Sequence, residues 1–398
     1  SLNITPTAQA MNAVNDVSST MDLTSVHHTS VYSDTTVGVA SWTTALLSST
    51  QGSGSGTFVV DPNTALHNAS LHFDVASLLA LGGLTVNWTI SDGTNVVRSG
   101  SFSGGSLSLI PLVGGSIDVP LTGLDLNAGT YTLNFTGSVP GLSVGNITIT
   151  PSVNGTTYSL SNFDVTGSHT VNGNIFDGTD SGGVLDQLHS VDTRLSVTGY
   201  NGVTTTLDPY TGSATVNIVG HYGTLAIGAD GHYTYTLNSG VSLSTMTSKE
   251  TFNYTLTDSA GRTDSATLTI NMAPQFISSE HNDAITGTAY GDTLIYQVLN
   301  STVGNATAGN VSSAGGDHWT GFSLAQGDKI DIGDLLVGWD GNTASLGNYI
   351  HVTQSGSNTV ISIDRDGAGS TYTNTALVTL DNVQTTYDEL VNQQHIIT

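Results

Sequence analysis

Between Ile285 and Leu336, glycine-aspartate pairs alternate with short apolar fragments of strand length. The run Thr286-Gly287-Thr288-Ala289-Tyr290-Gly291-Asp292-Thr293-Leu294-Ile295-Tyr296 comes first. After a Gly/Asn-rich spacer follow Gly316-Asp317-His318-Trp319-Thr320-Gly321-Phe322 and Gly327-Asp328-Lys329-Ile330-Asp331-Ile332-Gly333-Asp334-Leu335-Leu336. A glycine lets the backbone turn where a Cβ would obstruct it, and an aspartate at the turn offers oxygen to a hard cation. The stretch reads as one turn of such a repeat rather than an array.

The preceding chain is also read as strands. Leu71-His72-Phe73-Asp74-Val75, Leu84-Thr85-Val86-Asn87-Trp88-Thr89-Ile90 and Tyr131-Thr132-Leu133-Asn134-Phe135 each place apolar residues on one face. Ser53-Gly54-Ser55-Gly56, Ser91-Asp92-Gly93-Thr94-Asn95, Gly104-Gly105 and Gly114-Gly115 separate them, a spacing that predicts an antiparallel sandwich over 17–165. Ala76 to Leu81, closed by Gly82-Gly83, is the one helical candidate there. Residues 166–273 read as a second sandwich, with Asp230-Gly231 as a hairpin turn between alternating runs. Pro274 marks the next boundary, and a last β-rich module runs over 274–398. It ends in a short helix that Thr386 caps, with Glu389 as the reciprocal partner. The fold class is all-β: tandem sandwiches, then a β-rich C-terminal domain.

Acidic residues number 31 against 6 Lys and Arg, a net charge of −25, which excludes nucleic acid as a partner and argues against anionic membranes. Only 9% of residues are charged, far below a disordered acidic tail, so the few carboxylates are expected to have assigned roles. There is no cysteine, so stability outside the cell must come from the core or from metals. No signal peptide is visible at Ser1 and no apolar run is long enough to span a bilayer; without an initiating Met the chain reads as a fragment.

Calcium is the expected cofactor, since it takes six to eight oxygens from carboxylates and tight turns. The candidates are Asp292, Asp317, Asp328, Asp331, Asp364 and Asp366 in the last module. Asp364-Arg365-Asp366-Gly367 puts two carboxylates on one side of a turn, although Ser362 and Thr373 stand where an EF-hand needs its end ligands. Asp334 reads as a helix cap, and aspartate favours turns in any case. Catalytic motifs are missing: there is no His-Glu-x-x-His, no Gly-x-Ser-x-Gly and no Walker loop, so no enzyme is expected. His67 and His72 differ in strand parity and would face opposite ways on one regular strand. Trp88 alternates with Val86 and Ile90 and belongs to the core, whereas Trp42 is a candidate ligand-stacking platform.

Two stretches carry family resemblances. Residues Gly220 to Ile227, Ala229 to Leu237, Glu250 to Asp258 and Asp264 to Ile270 resemble the VCBS or cadherin-like repeats of large bacterial adhesins. The family's acidic loop would fall on Asp177-Gly178-Thr179-Asp180-Ser181-Gly182-Gly183 and Asp186, which departs from the commoner Asn-Asp form. Ala10 to Asp16 resembles the Asn-Asp junction that calcium stiffens between such modules; a plain polar linker over 1–16 is the alternative. The resemblance thus implies Asp16, Asp177 and Asp180 as calcium ligands. The Gly287 to Leu294, Gly327 to Ile332 and Ile363 to Gly369 segments, in that order, resemble the C-terminal target domain of type I secretion substrates of the RTX adhesin class.

These resemblances imply the C-terminal part of a biofilm adhesin, monomeric and extracellular, exported through an ABC transporter and folding with calcium outside. Its ligand would be a surface, a glycan or a neighbouring cell. The rivals are a glycan-binding module in 17–165 and the accessory tail of a secreted hydrolase.

Overall fold

The computed structural model describes residues 10–34, 36–45, 47–77, 83–103, 115–141, 145–188, 190–211, 214–297 and 316–398. The chain is all-β and divides into two compact units: His27–Ser161, and the residues up to Val26 together with Asn162–Thr398. Among the described residues no helix is long and apolar enough to cross a membrane.

The His27–Ser161 unit is built around one long strand, Thr50–Ser77. Its first part pairs with Leu126–Val139, which continues through Thr85–Ser91 to Val96–Ser103. Its second part pairs instead with Asn146–Val165 on one side and Gly115–Pro120 on the other. The register shifts between Val60 and Ala65 and between His67 and Ser70, and Asn63 and Asn68 take positive φ values of 58° and 49°. Such bulges bend a strand and let it change partners along its length. Phe58, Phe73, Trp88, Leu133, Phe135 and Ile149 are part of the unit's apolar core.

The bulge at Asn68 changes the reading of the histidines. His67 pairs with Thr156 and His72 with Ser152, positions of equal parity on the partner strand, so both face the same way. One extra residue in the strand has reversed the alternation. Trp88 is buried, as its alternation requires. Trp42 is not an open platform. It is half-buried on the Ala40–Thr43 strand, and its ring lies where side chains at Gly52 and Gly137 would otherwise stand. Ala76 and Ser77 finish the long strand; the remainder of that helical candidate lies outside the described residues, as do Gly104-Gly105, Gly114 and the spacer before Gly316.

The second unit opens with a sandwich. One sheet runs Asp16–Val17, Thr263–Ile270, Glu250–Thr257, Arg194–Thr198 and Thr204–Leu207; the other runs Thr170–Asn174, His232–Leu237, Gly223–Gly228 and Thr215–Val219. Asp16, expected in a linker, is instead the start of an edge strand. Its backbone joins the open side of Thr263–Ile270 in parallel, Asp16 opposite Leu268. Gly231 turns the hairpin with φ +81°, as the Asp230-Gly231 pair foretold.

From Met272 the chain coils between two further sheets. Met272–Ile277, Thr293–Ile295, Lys329–Asp331 and Ile396–Ile397 stack in parallel in one, beside Met21 to Thr24. Ala284–Thr286, Asp317–Thr320 and Thr375–Asp381 stack in parallel in the other. The coil is therefore longer than the single turn expected, and an antiparallel hairpin, Ile350–Ser355 with Asn358–Ile363, extends its second sheet. Met272–Ile277 crosses the expected boundary at 273/274, and sandwich and coil share one apolar core through Leu243, Met246, Tyr290 and Leu294. The helix Tyr387–Asn392 closes the coil; Thr386 and Glu389 form its capping box. Asp334 lies in the first turn of a short 3-10 helix whose capping position is Ile332.

Candidate metal centre

The alternating strand Glu250–Thr257 turns Phe252, Tyr254 and Leu256 inward. A tyrosine in a core needs a partner for its hydroxyl. Tyr254 finds three acceptors: the Val14 carbonyl at 2.6 Å, Asp16 Oδ2 at 2.8 Å and Asp186 Oδ2 at 2.9 Å. A phenol has one proton to donate. Two of the three contacts therefore set oxygen against oxygen, and that arrangement requires a further proton or a cation.

Asp16 is fully buried, and its second oxygen, Oδ1, has no hydrogen-bond partner among the described residues. Burial pushes its carboxyl up to about 7; the Tyr254 hydroxyl opposes this, and the charges of Asp186, Asp180 and Asp177 add to it. Asp186 is also raised, first by burial, with the Val14 N–H and Tyr254 opposing and Asp264 adding. The Val14 N–H reaches Asp186 Oδ1 at 2.7 Å, and the Ala13 N–H reaches Asp264 Oδ2 at 2.8 Å. The Asp16 segment is thus tied to both acidic positions. Asp180 belongs to the same neighbourhood: its carbonyl accepts from Val17 N–H at 2.8 Å and its Oδ2 accepts from the Tyr233 hydroxyl at 2.7 Å. Asp177 lies on the exposed rim, with its Oδ1 turned to the Thr179 N–H.

Asp16, Asp177 and Asp180 are thus gathered at one end of the sandwich. Asp186, Asp264 and Tyr254 complete the group. The orphaned buried Asp16 oxygen, the excess of acceptors over protons and the all-oxygen donor set fit a hard divalent cation.

The coil aspartates form a different structure. Each stands where the chain enters a strand, and each takes internal donors. The Asp283 N–H donates to Asp317 Oδ1 at 2.8 Å, and the Asp292 N–H to Asp328 Oδ1 at 2.9 Å, so successive turns are linked by an aspartate ladder at both edges. Ser278 and Tyr296 hydroxyls reach Asp317 Oδ2, both at 2.7 Å. Thr288 supplies its N–H and hydroxyl to Asp292, both at 2.6 Å, and the Ser323 N–H reaches Asp328 Oδ2 at 2.7 Å. Burial raises Asp292 to about 7 and Asp328 to about 6; it also holds Asp317 well above the usual carboxylate range, with Asp283 adding to this. These oxygens hold backbone N–H groups at the turns. Asp331 stands apart and accepts from the Gly333 N–H at 3.1 Å. Asp364 and Asp366 do meet: Asp364 Oδ1 is buried without a partner among the described residues, and burial and then Asp366 raise its carboxyl. Asp366 accepts from the Thr371 and Tyr372 N–H groups.

Asp186 was placed in the acidic loop but not among the ligands, and Tyr254 was missed as a site residue; the only sign for Tyr254 was its inward parity.

Residues 179–271 match the model of the bacterial Ig domain, Big_9. No curated protein matches the chain by sequence. Among solved structures, the infectious bursal disease virus Gx strain is similar at 14% identity over 33% of this chain and 32% of that one, TM-score 0.22. The enzymatically active domain of bacteriophage CBA120 tailspike protein 4 is similar at 13% identity over 35% and 19%, TM-score 0.20. TmCBM61 in complex with β-1,4-galactotriose is similar at 11% over 33% and 86%, TM-score 0.18. The chain spans about a third of the first of these and about a fifth of the second. Residues 179–271 form a bacterial Ig-like domain, and the acidic group lies where the chain enters it.

Proposed function

We propose that this chain is a segment of a secreted bacterial adhesin in which calcium, held by Asp16, Asp186 and Asp180 with Asp177 at the rim, fastens the leading segment to the Ig-like module. The observation that carries this reading is the buried Asp16 carboxylate, with one oxygen unpartnered among the described residues and the other sharing a single phenolic proton with two further acceptors. When bound, calcium would supply the positive charge that this group lacks. The protein residues do the rest. Val14 and Ala13 N–H groups hold Asp186 and Asp264 in place, Tyr233 orients Asp180, and pairing with Thr263–Ile270 keeps Asp16 buried.

In the same reading the chain leaves the cell through a type I secretion system, with its ABC transporter as partner, and acts outside as a monomer without catalysis. Where calcium is scarce, mutual repulsion among Asp16, Asp180 and Asp186 loosens the leading strand; outside, binding energy becomes folding energy. The coil takes a lesser part in this switch, because its aspartate oxygens are already engaged by internal donors. The Ig-like match and the acidic, cysteine-free composition support an extracellular setting.

Calorimetric titration of calcium into the chain and into Asp16→Asn tests the site. Heat of binding in the parent and its loss in the variant support it; equal binding by both contradicts it.

A further inference from the structure

Strand register in the His27–Ser161 unit creates a groove that nothing above uses. Across four neighbouring strands, Ser53, Thr136, Asn87 and Ser101 stand in one outward-facing row. Two residues further along the strands, Ser55, Asn134, Thr89 and Ser99 form a second row. Between the rows Gly54, Phe135, Trp88 and Gly100 turn to the other face, where the two aromatic rings are buried and occupy the space beside the glycines. What remains outside is an open trough of about 690 Å³ lying across the strands. Neighbouring strands are about 4.8 Å apart, so it runs for roughly 14 Å between the outer two.

We propose that this trough binds a neutral polysaccharide strand, an inference that rests on the adhesive reading and gives it a ligand site. The walls are hydroxyls and amides, each both donor and acceptor, as sugar hydroxyls are. Of the eight, Ser53 and Thr136 bond each other at 3.0 Å, and no other hydrogen bond joins wall side chains among the described residues. Among the described residues no charged residue lines the trough, although the chain carries −25 overall; an anionic glycan is repelled by the molecule and finds no cation on these walls. A protein partner would need an apolar anchor pocket, and the walls present no large apolar side chain. The transverse course admits an extended chain lying across the strands, with both rows in reach of its two edges.

The test is calorimetric titration of cellohexaose, laminarihexaose and xylohexaose, with a polygalacturonate oligosaccharide as the charged control. The proteins are the whole chain, Asn134→Ala, and Thr89→Arg, which fills the trough from a half-buried position on its wall. The expected result is binding of a neutral hexasaccharide by the parent, weakened about tenfold in Asn134→Ala, the equivalent of roughly one hydrogen bond. Thr89→Arg should abolish binding with its melting temperature unchanged. The proposal is overturned if the parent binds none of the neutral probes, if it prefers the polygalacturonate, or if Thr89→Arg binds as the parent does. In that last case sugar binding, and with it the adhesive reading, survives at another surface, and calcium binding at Asp16 is measured independently.

Discussion

The phenolic oxygen of Tyr254 lies 2.8 Å from Oδ2 of Asp16, while Oδ1 of the same carboxylate is buried without a partner among the described residues. Tyr254 is therefore the side chain that tempers the Asp16 charge when no ion is present. Tyr254→Phe should destabilise the calcium-free chain by about 1–3 kcal/mol, the usual cost of leaving a buried polar group unsatisfied. In calcium the loss should be smaller. Urea unfolding with EGTA and with calcium measures both, and an equal loss in the two conditions would count against the cation reading.

A second prediction concerns pH. Burial raises Asp16 and Asp292 to about 7 and Asp328 to about 6, from an ordinary value of 3.8. Between those limits the folded chain holds protons that the unfolded chain has released, so stability falls as pH rises from about 4 to about 7. Each group contributes at most about 1.4 kcal/mol per pH unit while it titrates. Exposed aspartates with lowered values, such as Asp92 and Asp340, act below this window. Calorimetry in EGTA should find a lower melting temperature at pH 8 than at pH 5; a rise would refute the assignment.

The aspartate ladders give a third. Asp317→Ala removes the acceptor of the Asp283 N–H and the shorter contacts of the Ser278 and Tyr296 hydroxyls, which keep Asp283 Oδ2 and the Leu377 carbonyl, each at 3.2 Å. At about 1–3 kcal/mol for a buried polar group left unsatisfied, the coil should lose about that much. Asp317→Asn keeps an acceptor oxygen and should lose less. Both losses should be the same in EGTA as in calcium. A loss seen only in calcium would mean that the ladder holds an ion.

The capping box gives a fourth. Thr386→Ala removes the acceptor of the Glu389 N–H and should cost about 1 kcal/mol, read by urea unfolding. A loss near zero would mean that the helix end is held by the coil alone.

That capping box was legible because its two residues are three apart, and the inward side of Trp88 was legible because its strand is regular. Local pattern reaches no further. The His67 and His72 faces were misassigned because a bulge at Asn68 inserts one residue, and nothing in the composition of that run announces it. Trp42 looked open because the glycines that receive its ring, Gly52 and Gly137, stand on other strands and meet it only in the folded sheet. The coil aspartates were recognised as turn residues, but their engagement depends on the turn stacked above. At the acidic group, Asp177 and Asp180 announced themselves in a glycine-containing loop, whereas Tyr254 is 238 residues from Asp16 and meets it only through the pairing of Asp16–Val17 with Thr263–Ile270.

The most direct measurement is thermal unfolding of the chain and of Asp16→Asn at pH 8, in EGTA and in millimolar calcium. The account predicts a calcium-dependent rise in melting temperature for the parent. In Asp16→Asn, which removes the buried charge, it predicts no such rise and a melting temperature in EGTA at or above the parent's. A parent indifferent to calcium, or a variant that responds as the parent does, would contradict it.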